Sequence, residues 1–325
     1  MSQIISMLLM IIISLTVGYI IKTLHNKEKI HLPLPIESIR KFLQRLTLIG
    51  FIPITVTTSV WIAPIRDLQI IALPFIGLSA LAAGSLIALF FAGKMKLNRK
   101  QKAVFFVSGG FSNLGSLGGL IAFILLGETG FALVSFYIFL ERIWYFGVGF
   151  PYAKSHSLEE GQKESFTVIF KRMFVDPFVL TTLFSMLAGI ALNLGGLNRP
   201  GIFESINAVL VPLGSVFILI SIGMGMRLAA VKNYVKHGLL MVMIKSLIIP
   251  VLIVSVSYIL GMGNIADGLP LKVILILSAM PIGFTALVPP SIYNLDLDMA
   301  NSCWLISNGA LLIIVPLLTI LVPLI

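Results

Sequence analysis

Polar residues interrupt the fourth long apolar segment of the chain. The sequence VSGGFSNLGSLGG, residues 107–119, places five glycines, three serines and an asparagine inside an apolar run over residues 103–126. In hydrocarbon every backbone polar group needs an internal partner, so irregular backbone is tolerated only where it is buried in protein or lines a watery cavity. The interruption therefore favours a binding site. The alternative is that Gly115 and Gly119 form a close helix contact of the GxxxG type, which needs no ligand.

The chemistry that such an interruption supports is the binding of a small organic anion. A half-helix that begins after a break presents free backbone N–H groups and a partial positive charge, and both attract a carboxylate. Free carbonyl groups before the break can hold a cation. A buried asparagine amide adds donors and an acceptor that need partners. The residues predicted to contact substrate in this segment are Ser112, Asn113, Gly115 and Gly118.

A second interrupted segment is predicted in the ninth apolar run, where LSAMPIGFTALVPP occupies residues 277–290. Two segments that Gly or Pro interrupts at corresponding positions of the two halves of a transporter are the best sequence indication of its binding site. Pro281, Gly283 and Thr285 are therefore predicted to bind substrate. Asn113 is expected to bond the carboxylate or to shape the site, and Pro281 to leave backbone groups unpaired for the ligand.

Two charged residues within apolar segments are candidates for coupling transport to an ion gradient. Glu141 and Lys245 lie in the fifth and eighth segments, where an ionisable group is costly and indicates a functional pathway. The coupling ion would be Na⁺ or H⁺. The alternative is a structural ion pair of Glu141 with Arg142 or Lys245.

The elements that must position these residues are membrane helices. Hydrophobic residues make up 58% of the 325 residues and charged residues 11%, and the mean hydropathy is +1.05. Runs of about 20 apolar residues match a hydrocarbon core roughly 30 Å thick. We predict an all-α membrane protein with ten transmembrane helices. The predicted spans are 4–24, 46–63, 69–93, 103–126, 130–152, 175–195, 204–226, 238–261, 271–293 and 299–324.

The basic residues predict the orientation of these helices. The formal net charge of +10 comes from Lys and Arg that concentrate in the odd-numbered connections, which indicates topology rather than nucleic-acid binding. Eighteen of the 23 basic residues lie there, and the even-numbered connections hold Arg66, Arg199 and Lys272. Both termini are therefore predicted outside and the central loop in the cytoplasm, in a multi-pass protein of the cell membrane whose partner is the lipid bilayer.

The two halves of the chain are predicted to be inverted five-helix repeats, because an odd number of spans reverses the second half. Residues 1–153 form the first repeat, residues 154–174 a cytoplasmic linker and residues 175–325 the second repeat. Prolines at matching places support the division. The matching pairs are Pro53 with Pro212 and Pro74 with Pro250.

Catalysis is not expected from this sequence. It has no HExxH, GxSxG or paired-aspartate motif within the apolar segments, so we predict neither catalytic residues nor a metal site nor a cofactor. The single cysteine, Cys303, has no partner for a disulfide bond. A membrane channel, or a ligand-binding membrane sensor without transport, is the alternative to a transporter.

The interrupted segments resemble those of the auxin efflux carrier family, whose bacterial members include proteins described as malonate and malate permeases. SNLGSLGG at residues 112–119 is similar to the family's asparagine-glycine pattern, with Asn113 and Gly118 on its asparagine and later glycine. Residues 279–318 are similar to the family's most specific stretch. There Pro281, Tyr293 and Ser307 fall on its proline, tyrosine and final-span polar stretch.

The resemblance implies a bile acid:sodium symporter-like fold in which helices 4 and 9 are broken and cross each other. Substrate would bind at the crossing, one helix bundle would move against the other to alternate access, and two chains would form a homodimer. The sequence departs from the family at Leu120, where many members have proline, and at Thr285, where a second asparagine is frequent. Thr285 remains polar, and Gly118 with Gly119 can still break the helix.

Overall fold

The computed structural model describes residues 2–65, 68–157, 177–226 and 231–325. Most of the predicted cytoplasmic linker, residues 158–174, lies outside the described residues. Within those ranges the chain is helical, and its only β-type pairing is an isolated antiparallel bridge between Ser112 and Ile282. The predicted all-α class is confirmed for this part of the chain.

The chain divides into two compact units, and both contain residues from each predicted repeat. Unit 1 comprises Met1–Arg66, Gly115–Ser135 and Pro177–Arg227, and unit 2 comprises Asp67–Leu114, Phe136–Asp176 and Leu228–Ile325. The helices up to residue 155 are α1 (Ser2–Asn26), α2 (Ile36–Arg45), α3 (Ile52–Val60), α4 (Leu73–Lys94), α5 (Arg99–Gly110), α6 (Gly119–Tyr137), α7 (Glu141–Trp144) and α8 (Phe150–Ser155).

Eight further helices lie in the described residues after position 176. They are α9 (Pro177–Leu194), α10 (Ile202–Gly225), α11 (Val235–Met243), α12 (Ile249–Ile259), α13 (Leu269–Ser278), α14 (Val288–Ile292), α15 (Leu297–Gly309) and α16 (Leu311–Leu321). Four π-helical turns lie at Leu46–Phe51, Leu114–Gly118, Tyr145–Gly149 and Ile244–Ile248. Three of them join consecutive helices into longer ones, so α2 and α3 form one continuous helix over Ile36–Val60.

Several of these helices are long and apolar enough to span a bilayer. Among the described residues there are six such stretches, or seven if the bent pair Leu297–Gly309 and Leu311–Leu324 is one span. This agrees with a multi-pass membrane protein, whereas ten spans remain a prediction. One stretch, Leu114–Ser155, has 42 residues. At 1.5 Å per residue it would be about 60 Å long, twice the hydrocarbon thickness, and positive φ at Gly127 (69°) breaks it.

Polar contacts within each unit join connections of the same parity. In unit 2, Gln101 donates to Asp296 (3.1 Å) and Tyr234 donates to the same carboxylate (3.0 Å), which brings the third, seventh and ninth predicted connections together. In unit 1, the Trp61 indole donates to the carbonyl of Leu197 (2.7 Å), which joins the second and sixth. Each of these contacts joins connections that the predicted topology places on the same side of the membrane.

Candidate functional site

The two predicted interruptions meet inside unit 2. Helix α5 ends at Gly110 and regular α-helix resumes at Gly119, whereas α13 ends at Ser278 and a 3₁₀ turn begins at Phe284. Asn113 N–H donates to the Pro281 carbonyl (2.9 Å) and Gly283 N–H donates to the Phe111 carbonyl (2.9 Å). Two extended segments of three residues therefore pair antiparallel between four helix ends. We call residues 111–113 and 281–283 the crossing.

Tyr145, from the fifth predicted span, satisfies the middle residue of the first crossing segment. Its hydroxyl accepts a hydrogen bond from Ser112 N–H (3.0 Å) and donates one to the Ser112 carbonyl (3.1 Å). The Tyr145 ring stacks on Phe111, with the ring centroids 4.0 Å apart. The side chain therefore fixes the backbone immediately before Asn113.

Residues of the tenth predicted span satisfy the middle residue of the second segment in the same way. Ile282 N–H donates to the Ser307 hydroxyl (3.3 Å), and the Asn308 amide donates to the Ile282 carbonyl (3.0 Å). The Ser307 hydroxyl in turn donates to the Trp304 carbonyl of its own helix, α15 (3.0 Å). Every N–H group of residues 112, 113, 282 and 283 is thus bonded to protein.

This pairing corrects one prediction. Pro281 was expected to leave backbone groups unpaired for a ligand, but its carbonyl accepts from Asn113 and the crossing satisfies its own N–H groups. The prediction is wrong at this point because the two interruptions lie against each other and supply each other's partners. The backbone N–H groups of the crossing are therefore not available to a ligand.

Gly283 permits the close approach of the two segments. A Cβ atom at this position would lie 2.7 Å from the Ser112 carbonyl oxygen and 3.3 Å from Asn113 N. Both distances are shorter than ordinary van der Waals contact, and the atoms met are backbone atoms that cannot rotate away. At Gly115, in contrast, an added Cβ would meet no atom within 4 Å.

Lys245 places a buried positive charge beside the crossing. Its side chain is 2% exposed, and its ammonium donates to the Gly109 carbonyl (3.1 Å) and to the Ser112 hydroxyl. Gly109 lies in the last turn of α5, where unpaired carbonyls carry a partial negative charge that a cation stabilises. The hydrogen bonds and this charge offset part of the cost of burying an ammonium group.

Glu141 connects electrostatically to the same cluster. Its carboxyl group lies near the charge of Arg142, the Tyr145 hydroxyl and, at longer range, the Lys245 ammonium, and Tyr145 follows it by one helical turn. Both predicted coupling residues therefore lie in one network with Ser112. The alternative of a structural ion pair of Glu141 with Arg142 or Lys245 stays open, because a shared network serves either role.

The predicted substrate residues divide between the two units. Ser112, Asn113, Pro281 and Gly283 come together at the crossing, and Thr285 lies in the 3₁₀ turn Phe284–Leu287 that follows it. Gly115 and Gly118 lie in the π-helical turn Leu114–Gly118, and both are assigned to unit 1. Within the described part of the chain, no three His, Cys, Asp or Glu side chains lie together as a metal site would require.

Sequence reasoning missed Tyr145 and Asn308 as hydrogen-bond partners of the crossing. Tyr145 could have been found from its position one helical turn after Glu141 in an otherwise apolar span. Asn308 follows Ser307, which the resemblance already singled out, but nothing local indicates that its amide reaches Ile282. Their roles depend on contacts between residues 33 and 26 positions apart in sequence.

Comparison with known proteins relates nearly the whole chain to a protein named as a transporter. No family model matches it. The chain is similar to a protein of Methanothermobacter thermautotrophicus that is named an uncharacterized transporter, with 24% identity over 311 residues, which are 95% of this chain and 95% of the relative. The similarity extends over both compact units, and therefore over all residues of the crossing.

Proposed function

We propose that the chain is a secondary active transporter of small organic anions, in the first place carboxylates. Access alternates between the two sides of the membrane. Asn113 and Thr285 bind the substrate, and Gly115 and Gly118 shape the half-helix that begins after Asn113. The name of the relative and the multi-pass helical architecture support a transporter.

The observation that carries the proposal is the interruption of two apolar segments that pair at the same point. Backbone polar groups at membrane depth are costly, so an interruption persists only where it has a use, as in the discontinuous helices of transporters. The interruptions leave two new half-helices starting near Asn113 and Thr285, and the N-terminal end of a helix favours an anion. The buried Lys245 ammonium adds positive charge beside the crossing, which also favours an anion.

The arrangement of the crossing also supports the inverted repeat. Tyr145 of the fifth predicted span bonds Ser112, and Ser307 of the tenth bonds Ile282. The last span of each half therefore satisfies the middle residue of the interruption in that half. This correspondence fits a ten-helix architecture of two inverted repeats with crossing helices 4 and 9. The resemblance to the auxin efflux carrier family, and to the bile acid:sodium symporter-like fold, implies the same architecture.

Coupling to a gradient of Na⁺ or H⁺ would use the Glu141 and Lys245 network. The two charges lie within one cluster with Ser112, the residue before Asn113. A change of charge at Glu141 would therefore change the electrostatic potential at the substrate residues. The cluster lies in the cell membrane, with the odd connections in the cytoplasm.

Counterflow in proteoliposomes tests the proposal. Vesicles loaded with one unlabelled monocarboxylate or dicarboxylate are diluted into the same labelled acid, with and without a sodium or proton gradient. We expect transient accumulation of label for at least one acid, because only a carrier exchanges substrate through alternating states. Flux that neither saturates nor shows counterflow would favour a channel. Binding of an acid without flux, by folded protein, would favour a sensor.

A further inference from the structure

We propose that the outward face of α2 binds the phosphate group of an anionic phospholipid. The connection from α1 and the helix α2 itself form the most basic part of unit 1. Between residues 27 and 45 there are five Lys or Arg residues and two Glu residues, which gives a formal net charge of +3 with histidine neutral. Basic clusters on an amphipathic helix beside a membrane span attract acidic lipid headgroups.

The cations on this face are available to a ligand, whereas Arg40 is not. Arg40 turns toward α10, where its Nε donates to the Ser221 carbonyl (3.0 Å), and it pairs with Glu37 (2.7 Å). Lys41 and Arg45 are exposed, and they share one helix face with Ser38 because positions i, i+3 and i+7 lie on the same side. Two exposed cations one turn apart can hold the oxygens of one phosphate.

The position of this face along the helix fits a lipid rather than a soluble anion. Phe42, which is 61% exposed, lies between the two cations, as expected of an aromatic side chain at the membrane interface. Ile49 follows Arg45 by one turn, about 6 Å along the axis of the same continuous helix, and is 45% exposed. A phospholipid could therefore place its phosphate on Lys41 and Arg45 and an acyl chain along Ile49.

The test counts bound lipids on the intact protein by native mass spectrometry, with dioleoylphosphatidylglycerol and dioleoylphosphatidylcholine as probes. The wild-type chain is expected to bind phosphatidylglycerol preferentially. The double variant Lys41→Gln/Arg45→Gln should lose about 10- to 30-fold of that affinity, since each cation near an acidic headgroup contributes roughly a tenfold effect or somewhat less. Lys41→Arg/Arg45→Lys, which keeps both charges, should retain the preference.

A matched control removes two exposed lysines elsewhere. Lys94→Gln/Lys96→Gln lowers the net charge by the same amount at the end of α4 and should leave the preference unchanged. Equal losses in the two Gln double variants, or no preference for phosphatidylglycerol in the wild type, would overturn the site. Displacement of the bound lipid by excess inorganic phosphate would show a site for free phosphate and would also overturn the proposal.

Discussion

At the scale of single residues, Gly283 is the position where the crossing tolerates least change. Gly283→Ala would place a Cβ atom 2.7 Å from the Ser112 carbonyl oxygen, and the two segments would have to separate. We expect a loss of about 1–3 kcal/mol in stability, as for other overpacked sites, and loss of counterflow. Thermal unfolding in detergent and counterflow measure the two effects.

Gly115→Ala is the matched control, because an added Cβ there meets no atom within 4 Å. This variant should unfold at the wild-type temperature or slightly above, since alanine has less conformational freedom to lose in a helical turn. Similar melting temperatures for the two variants would contradict the tight pairing at the crossing.

The proposed substrate contact at Asn113 predicts a loss of function without a loss of fold. Asn113 is 7% exposed, and Asn301, in α15, is 5% exposed and bonds the Leu297 carbonyl of its own helix (2.8 Å). Asn113→Ala and Asn301→Ala each remove a buried amide, at a cost of about 1 kcal/mol. We expect only Asn113→Ala to abolish transport. Normal uptake by Asn113→Ala, or equal loss in both variants, would remove Asn113 from the site.

The coupling role of Glu141 predicts that net transport and exchange can be separated. Glu141→Gln keeps a hydrogen-bonding group beside Tyr145 but cannot change its charge. Accumulation driven by a sodium or proton gradient should therefore be lost while counterflow remains, as measured in the same proteoliposomes. If gradient-driven accumulation persisted at the wild-type rate, Glu141 and Lys245 would be a structural pair only.

The residues at the crossing show how far local sequence carries the prediction. The interruptions themselves could be predicted, because Gly, Ser, Asn and Pro in an apolar run conflict with a lipid-exposed helix. The partners of the interruptions could not. Whether Ser112 N–H meets a ligand or the Tyr145 hydroxyl depends on how residues 33 positions apart pack together, and periodicity within one segment contains no information about that distance.

At the scale of helices, the position of the crossing depends on the packing of α4 against α5. A Cβ atom at Gly84 would lie 2.2 Å from the Gly109 carbonyl oxygen, and one at Gly109 would lie 2.2 Å from the Gly84 carbonyl oxygen. The Ser85 hydroxyl donates to the Phe106 carbonyl across the same contact (3.0 Å). Gly109 also accepts from Lys245, so this contact fixes one end of the charged cluster.

Gly84→Ala therefore tests an element-level role. The added methyl group must push α5 away from α4, so we expect a clear fall in melting temperature and, because the Gly109 carbonyl moves, weaker counterflow. Gly93→Ala is the control in the same helix, because no atom lies within 4 Å of the new Cβ. It should change neither the melting temperature nor counterflow. Equal melting temperatures for the two variants would contradict the close contact of α4 and α5.

At the scale of the whole molecule, the number of spans is where sequence and structure differ most. Apolar runs predict ten, whereas helix length and composition give six or seven among the described residues. The difference has a physical cause. In an interrupted span neither half-helix is long enough to cross the bilayer alone, as α5 with 12 residues and α13 with 10 residues illustrate. A length criterion therefore omits the ninth predicted span and merges the end of the fourth with the fifth in Leu114–Ser155. It also omits the sixth predicted span, whose apolar helix Leu180–Leu194 is too short.

Cysteine labelling decides both the number of spans and the orientation. Cys303 is buried, so a Cys303→Ser chain provides a background in which single exposed cysteines report their side of the membrane. Lys27→Cys and Lys94→Cys lie in odd connections, and Leu197→Cys and Asn264→Cys lie in even ones, all at exposed positions. A membrane-impermeant maleimide should label only the even pair in intact cells, and the odd pair after permeabilisation, because basic residues remain in the cytoplasm.

Each labelling pattern has a distinct structural meaning. Labelling of the odd pair alone in intact cells would reverse the predicted orientation but keep the alternation of odd and even connections that ten spans predict. Labelling of one odd and one even position from the same side would contradict the alternation that ten spans predict. In that case the inverted repeat would fail together with the ten-helix count, since two halves of opposite orientation need an odd number of crossings in each.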